Sequence, residues 1–96
     1  MKTVIIMGST SDEPHAKKIT DKLDEFNILW EQHAASAHKE PLKVLEILEA
    51  NKSEKDLVYI TIAGRSNALS GFVAANSEHP TLALSLIHIR RSRRAI

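Results

Sequence analysis

His38 is the residue best suited to move a proton near neutral pH, because an imidazole both gives and takes one there. It lies in the segment Ser36-Ala37-His38-Lys39. Two other short segments share its small, polar composition: Gly8-Ser9-Thr10-Ser11-Asp12 and Gly64-Arg65-Ser66-Asn67. Together the three offer hydroxyls (Ser9, Ser11, Ser36, Ser66), one carboxylate (Asp12), two cations (Lys39, Arg65) and the imidazole. That inventory suits a phosphorylated sugar. Backbone N–H groups and a helix N-terminus favour phosphate. A lysine or arginine balances its charge, and a carboxylate accepts hydrogen bonds from ribose hydroxyls. Each segment alone has a plainer reading. Ser11 or Asp12 would cap a helix, His38 would be a solvated surface histidine, and residues 64–67 would form only a turn. On pattern alone, the three together support binding of an anionic small molecule.

Other chemistry finds less support. His15, His33, His79 and His88 include no pair at the i, i+4 spacing of a helical metal site, so no metal is expected. The glycines form neither the dinucleotide fingerprint nor the P-loop pattern. There is no cysteine, hence no disulfide frame and no thiolate site.

The elements that would position these segments follow from periodicity. Residues 3–7 form a continuous apolar run, which suits a strand buried on both faces. A helix is expected from about 13 to 26, with Ala16, Ile19, Leu23 and Phe26 as one apolar stripe and Pro14 in its first turn. Asn27 is the expected stop. Residues 28–35 read as a second strand, and 41–50 as a second helix with Leu45 and Leu48 on one side and Val44 beside them. A polar linker covers 51–56. Residues 57–63 form the clearest strand, 68–75 a third helix, and 80–86 a fourth strand. Alternating strands and helices predict βαβ units and a parallel sheet covered by helices. All strand C-termini then share one edge. The three polar segments each follow a strand, so they should meet on that rim, where open α/β sheets bind ligands.

Ninety-six residues allow one domain, and 43% apolar with 26% charged residues fit a globular chain. The N-terminal apolar run is too short for a signal peptide, and nothing approaches the roughly 18 apolar residues of a membrane span. A cytoplasmic protein without membrane contact is expected. A net charge of +1 suggests no polyanion partner. Its distribution is uneven: Arg90, Arg91, Arg93 and Arg94 crowd the end, and the remainder is slightly acidic.

Met7-Gly8-Ser9-Thr10-Ser11-Asp12, Ser36-Ala37-His38-Lys39 and Ala63-Gly64-Arg65-Ser66-Asn67-Ala68-Leu69 resemble the phosphoribosylaminoimidazole carboxylase / 5-(carboxyamino)imidazole ribonucleotide mutase family. The resemblance runs over residues 1–83, with all three motifs in order and at strand ends. It implies a three-layer αβα, flavodoxin-like parallel sheet, truncated here after about the fourth strand. It also implies a carboxy-lyase or mutase of purine biosynthesis that works without cofactor or metal and assembles as a homo-oligomer, an octamer in the family. The direct-carboxylase branch is favoured, with aminoimidazole ribonucleotide and carbon dioxide as partners. Mutases carry a second histidine where this chain has residues 63–67, and an arginine where it has Lys39.

The resemblance assigns roles. Ser9, Ser11 and Asp12 would hold phosphate and ribose. Ser36 and Lys39 would add ligand contacts, Gly64 and Ser66 would line the pocket beside the aminoimidazole, and Arg65 and Asn67 would also bind substrate. His38 would carry the proton of the ring carbon that gains the carboxylate. The alternatives are the mutase reaction and a non-catalytic flavodoxin-like module that binds a phosphorylated ligand. The second expects an acidic cluster at the first strand end, where Asp12 stands alone.

Residues 84–96 resemble nothing in the family and are expected to be artefactual or disordered, as after a frameshift or a translated adapter. The other reading is a basic tail for nucleic acid. The segment lacks interleaved aromatics, so no nucleic-acid partner is expected. A fragment of this kind is expected to be a poor enzyme and prone to insolubility, with an open sheet edge.

Overall fold

A computed structural model describes residues 1–63 and 68–85. Four strands alternate with three helices: β1 (Lys2–Met7), α1 (Glu13–Glu25), β2 (Leu29–Ala34), α2 (Pro41–Ala50), β3 (Leu57–Ala63), α3 (Ala68–Asn76) and β4 (Thr81–Ser85). A short 3-10 turn, Thr10–Asp12, leads into α1. The strands form one sheet in the order β2-β1-β3-β4, and every pair is parallel. This is the α/β architecture that the alternating pattern predicts.

The apolar run of β1 has neighbours on both sides, β2 and β3, and five of its six residues are buried. Its side chains alternate between two cores. Val4 and Ile6 join Leu57, Tyr59, Val44, Ile47, Leu48, Leu69 and Val73, beneath α2 and α3. Ile5 and Met7 join Ile62 and Ala16, beneath α1. Helices therefore cover both faces of the sheet, giving three layers. A continuous apolar strand is the sequence signature of that arrangement, because neither face meets water.

Asn27 ends α1 as expected, and the mechanism is visible. Its φ of 58° is left-handed. The Asn27 N–H donates to the Asp24 carbonyl at 3.1 Å and the Ile28 N–H to the Leu23 carbonyl at 2.8 Å. This is the Schellman pairing, which satisfies carbonyls the helix leaves open.

Three expectations need correction. Phe26 is not part of the α1 stripe; it is 70% exposed. It lies one residue past the helix, where the 3.6-residue period no longer governs direction. Leu45 is not in the core and is 36% exposed, and Ile47 takes the place beside Val44 and Leu48. The spacing 44, 47, 48 is the proper helical face, and Leu45 stands about 100° from Val44 around the axis. Asn51, assigned to a polar linker, is buried: its amide donates to the Ile47 carbonyl at 2.9 Å and its carbonyl accepts from Lys2 Nζ at 2.8 Å.

The fourth strand occurs at Thr81–Ser85, inside the expected 80–86. Leu86 and the Arg-rich segment lie outside the described residues. No described helix is long and apolar enough to cross a membrane.

Candidate active site

The C-terminal ends of β1, β2 and β3 lie on one edge because the sheet is parallel. A cleft of about 260 Å³ opens there, lined by Gly8, Ser9, Ser11, Asp12, Ser36, Ala37, His38, Ala63, Ala68 and Leu69. The first two polar segments thus converge, and the residues flanking the third, Ala63 and Ala68, close the same cleft. Gly64, Arg65, Ser66 and Asn67 themselves fall outside the described residues.

The first segment is held by its own hydroxyls. The Gly8 N–H donates to the Ile62 carbonyl at 2.9 Å, which carries the β1–β3 pairing one residue beyond the strand. Ser9 Oγ accepts from the Ser11 N–H at 3.2 Å and lies 2.9 Å from Ser11 Oγ. Ser9 therefore caps the 3-10 turn. The helix-cap reading of Ser11 or Asp12 is corrected: Asp12 stands at the N-cap position of α1 but makes no side-chain cap bond. Asp12 is 6% exposed while Ser9 and Ser11 are open to solvent. A carboxylate held against the cleft wall without a capping role remains available as an acceptor.

The second segment leaves β2 at Ala34. The buried Ala35 donates its N–H to the Met7 carbonyl at 2.7 Å. Ser36 Oγ accepts from the N–H groups of His38 and Lys39, both at 3.2 Å. The Ser36 carbonyl accepts from the Glu40 N–H at 2.8 Å. Ala37 packs against the core, and His38 and Lys39 are exposed. A serine whose hydroxyl takes the amides two and three residues on is a turn-forming device. Ser36 thus shapes the loop that presents His38. Sequence reasoning missed Lys43, whose Nζ donates to the Ala34 carbonyl at 2.8 Å. A cation in the first turn of a helix gives no local sign of such a bond. Lys39 is not among the residues lining the cleft.

Two of the other described histidines have structural partners. His33 Nε2 lies 2.6 Å from Glu31 Oε2, and the His79 ring stands 6.1 Å from that of Tyr59. Among the described residues no group of three His, Asp or Glu side chains is placed to hold a metal ion.

The order of these elements and their motifs has counterparts in known proteins. A family model described as AIR carboxylase matches residues 2–88. The chain belongs to the AIR carboxylase family. It is 57% identical over 83 residues to a phosphoribosylaminoimidazole carboxylase of Archaeoglobus fulgidus, covering 86% of this chain and 46% of that one. It is 41% identical over 80 residues to an N5-carboxyaminoimidazole ribonucleotide mutase of Methanocaldococcus jannaschii, covering 83% and 49%. The crystal structure of Treponema denticola PurE superposes with a TM-score of 0.84 at 42% identity, covering 88% of this chain and 54% of that one. The AIR carboxylase resemblance and the flavodoxin-like fold expected from the motifs are therefore established. The chain spans about half the length of the curated relatives it matches.

Proposed function

We propose that this chain carries the nucleotide-site part of an enzyme of purine biosynthesis that carboxylates aminoimidazole ribonucleotide with carbon dioxide. The observation that carries the reading is the single cleft in which Ser9, Ser11, Asp12, Ser36 and His38 meet at the strand ends. Ser9, Ser11 and the buried Asp12 hold phosphate and ribose. Lys39, exposed beside His38, balances phosphate charge as the ligand enters. Gly64, Arg65, Ser66 and Asn67 are assigned to substrate binding by the family resemblance of their motif. Ser36 serves the ligand chiefly by fixing the loop.

His38 carries the proton. The ring carbon forms a bond to carbon dioxide, its C–H bond breaks, and the proton passes to the imidazole. In reverse, His38 returns the proton as carbon dioxide leaves. Such a group contributes roughly 10²- to 10⁴-fold in rate. The reaction needs no further cofactor. The working protein is a cytoplasmic homo-oligomer, and residues 1–83 are the part that carries the family's site.

The mutase reaction is the second reading, favoured by the 41% identity to the Methanocaldococcus jannaschii enzyme. Lys39, the histidine-free run 64–67 and the higher identity to the Archaeoglobus fulgidus carboxylase support the direct reaction.

Titration of the chain with aminoimidazole ribonucleotide, followed by amide NMR shifts, is expected to move residues 8–12 and 36–39. Turnover with carbon dioxide should be weak, should exceed turnover of the carbamate substrate, and should fall by about 10²-fold or more in His38→Asn. Undiminished turnover in His38→Asn, or shifts confined to other surfaces, would refute the assignment.

A further inference from the structure

We propose that Lys43 is a positioning residue for His38. This rests on the reading of His38 as the proton carrier, and its structural half stands apart from that reading.

The loop of residues 35–40 joins β2 to α2 and presents His38 at the cleft. Its start is anchored by the Ala35 N–H on the Met7 carbonyl. Its middle is braced by Ser36 Oγ on the amides of His38 and Lys39. Its end is set by α2, where the Glu40 carbonyl accepts the N–H groups of Lys43 at 3.1 Å and Val44 at 3.3 Å. Glu40 offers no side-chain cap to that helix, so the loop-to-helix junction has no cap bond of its own. The Lys43 ammonium supplies the missing tie. From the exposed face of α2 it turns back nine residues to the Ala34 carbonyl at 2.8 Å.

Ala34 is the last residue of β2, and β2 is an edge strand with β1 as its one neighbour. Lys43 thus closes a ring: strand end, loop, first turns of the helix, and back to the strand end. An exposed lysine would otherwise extend into water. Here a charge-assisted bond fixes the spacing between the two ends of the loop. His38 lies midway between them and is itself exposed, so the ring sets its place more than burial does. Misplacement of a catalytic group by about 1 Å is enough to cost roughly 10²-fold in rate.

The test uses the whole chain with Lys43→Met, Lys43→Arg and, as a control, Lys22→Met on α1. Hydrogen exchange at the His38 and Lys39 amides is expected to quicken about tenfold in Lys43→Met. Amides of β1 and β3 should keep their protection. Lys43→Arg, which can still donate, should stay within about twofold of the parent, and Lys22→Met should match it. In the carboxylation assay Lys43→Met should lower kcat about tenfold or more and leave KM within about threefold. Unchanged exchange at His38 and Lys39 in Lys43→Met overturns the proposal, as does an equal loss of protection throughout β1 and β3. So does an unaltered kcat. If the exchange pattern appears as expected while His38→Asn keeps the turnover of the parent chain, the loop clamp stands and the carboxylase reading falls.

Discussion

Replacing Lys2 with methionine removes one ammonium group that ties three segments distant in sequence. Lys2 Nζ lies 2.6 Å from Glu31 Oε1 in β2, 2.8 Å from Asn51 Oδ1 after α2, and 3.7 Å from Glu54 Oε1. Methionine retains the apolar stem, so the loss is electrostatic. Asn51 is 2% exposed, and its carbonyl would be left buried without this donor, at a cost of about 1–2 kcal/mol. The ion pair with Glu31 is partly solvated, which limits it to roughly 0.2–1 kcal/mol. The sum, about 2 kcal/mol, should lower Tm by about 10 °C in a domain of this size. Two pKa shifts test the mechanism. Burial alone would raise Glu31, but its hydrogen bonds to Lys2 and His33 outweigh it and hold the carboxyl below the usual 4.5. The hydrogen bond to Glu31 chiefly raises Lys2 above 10.5, against the opposing effect of burial. A lowered carboxyl stabilises the fold above its unfolded value, and that part is lost as pH falls through the folded value. A raised ammonium stabilises the fold below its unfolded value, and that part is lost as pH rises through the folded value. The gap between parent and Lys2→Met should therefore be widest between 4.5 and 10.5. At lower pH it should shrink to the Asn51 part. Urea unfolding at pH 3, 5, 7 and 9 reads both. A gap at pH 7 below about 0.5 kcal/mol, or one unchanged at pH 3, would refute the reasoning.

Thr3 Oγ1 is buried without a hydrogen-bond partner among the described residues, so Thr3→Val should raise unfolding stability by about 1 kcal/mol. A loss on urea unfolding would show that the hydroxyl is satisfied in solution. Asn27→Val should cost about 1–2 kcal/mol because a β-branched residue resists its left-handed φ, and Asn27→Gly should cost nothing. Equal Tm values for the two variants would rule this out.

Much of the fold was legible because its signals are local. The run 57–63 matches β3 residue for residue, since unbroken β-branched and aromatic character is what a strand covered on both faces needs. Asn27 announced the end of α1, because few residues accept a left-handed φ. The rim was legible too, for polar segments that follow successive strands can meet only if the strands are parallel, and residues 8–12 and 36–38 do meet there. Phe26 misled because an apolar residue counts toward a helical stripe whether or not the helix still runs there, and Leu45 because it adjoins the buried face of α2 without belonging to it. Asn51 looked like linker because its partners, Ile47 and Lys2, give no sign in the neighbouring residues.

The sequence by itself determined the elements, the alternation that makes the sheet parallel, and the two polar segments, 8–12 and 36–38, that meet at one edge of it. Each of these follows from residue type and short-range spacing. Tertiary structure alone decided the strand order β2-β1-β3-β4, the burial of Asp12, the link from Lys2 to Asn51 and the clasp of Lys43 on Ala34. These depend on which segments lie side by side after the chain collapses. A lysine or an aspartate carries the same local character whether it ends in water or against a distant carbonyl. For His38 this means that its place after β2 was readable from its motif, and that the geometry holding it there comes from an edge strand and a helix turn the motif does not contain.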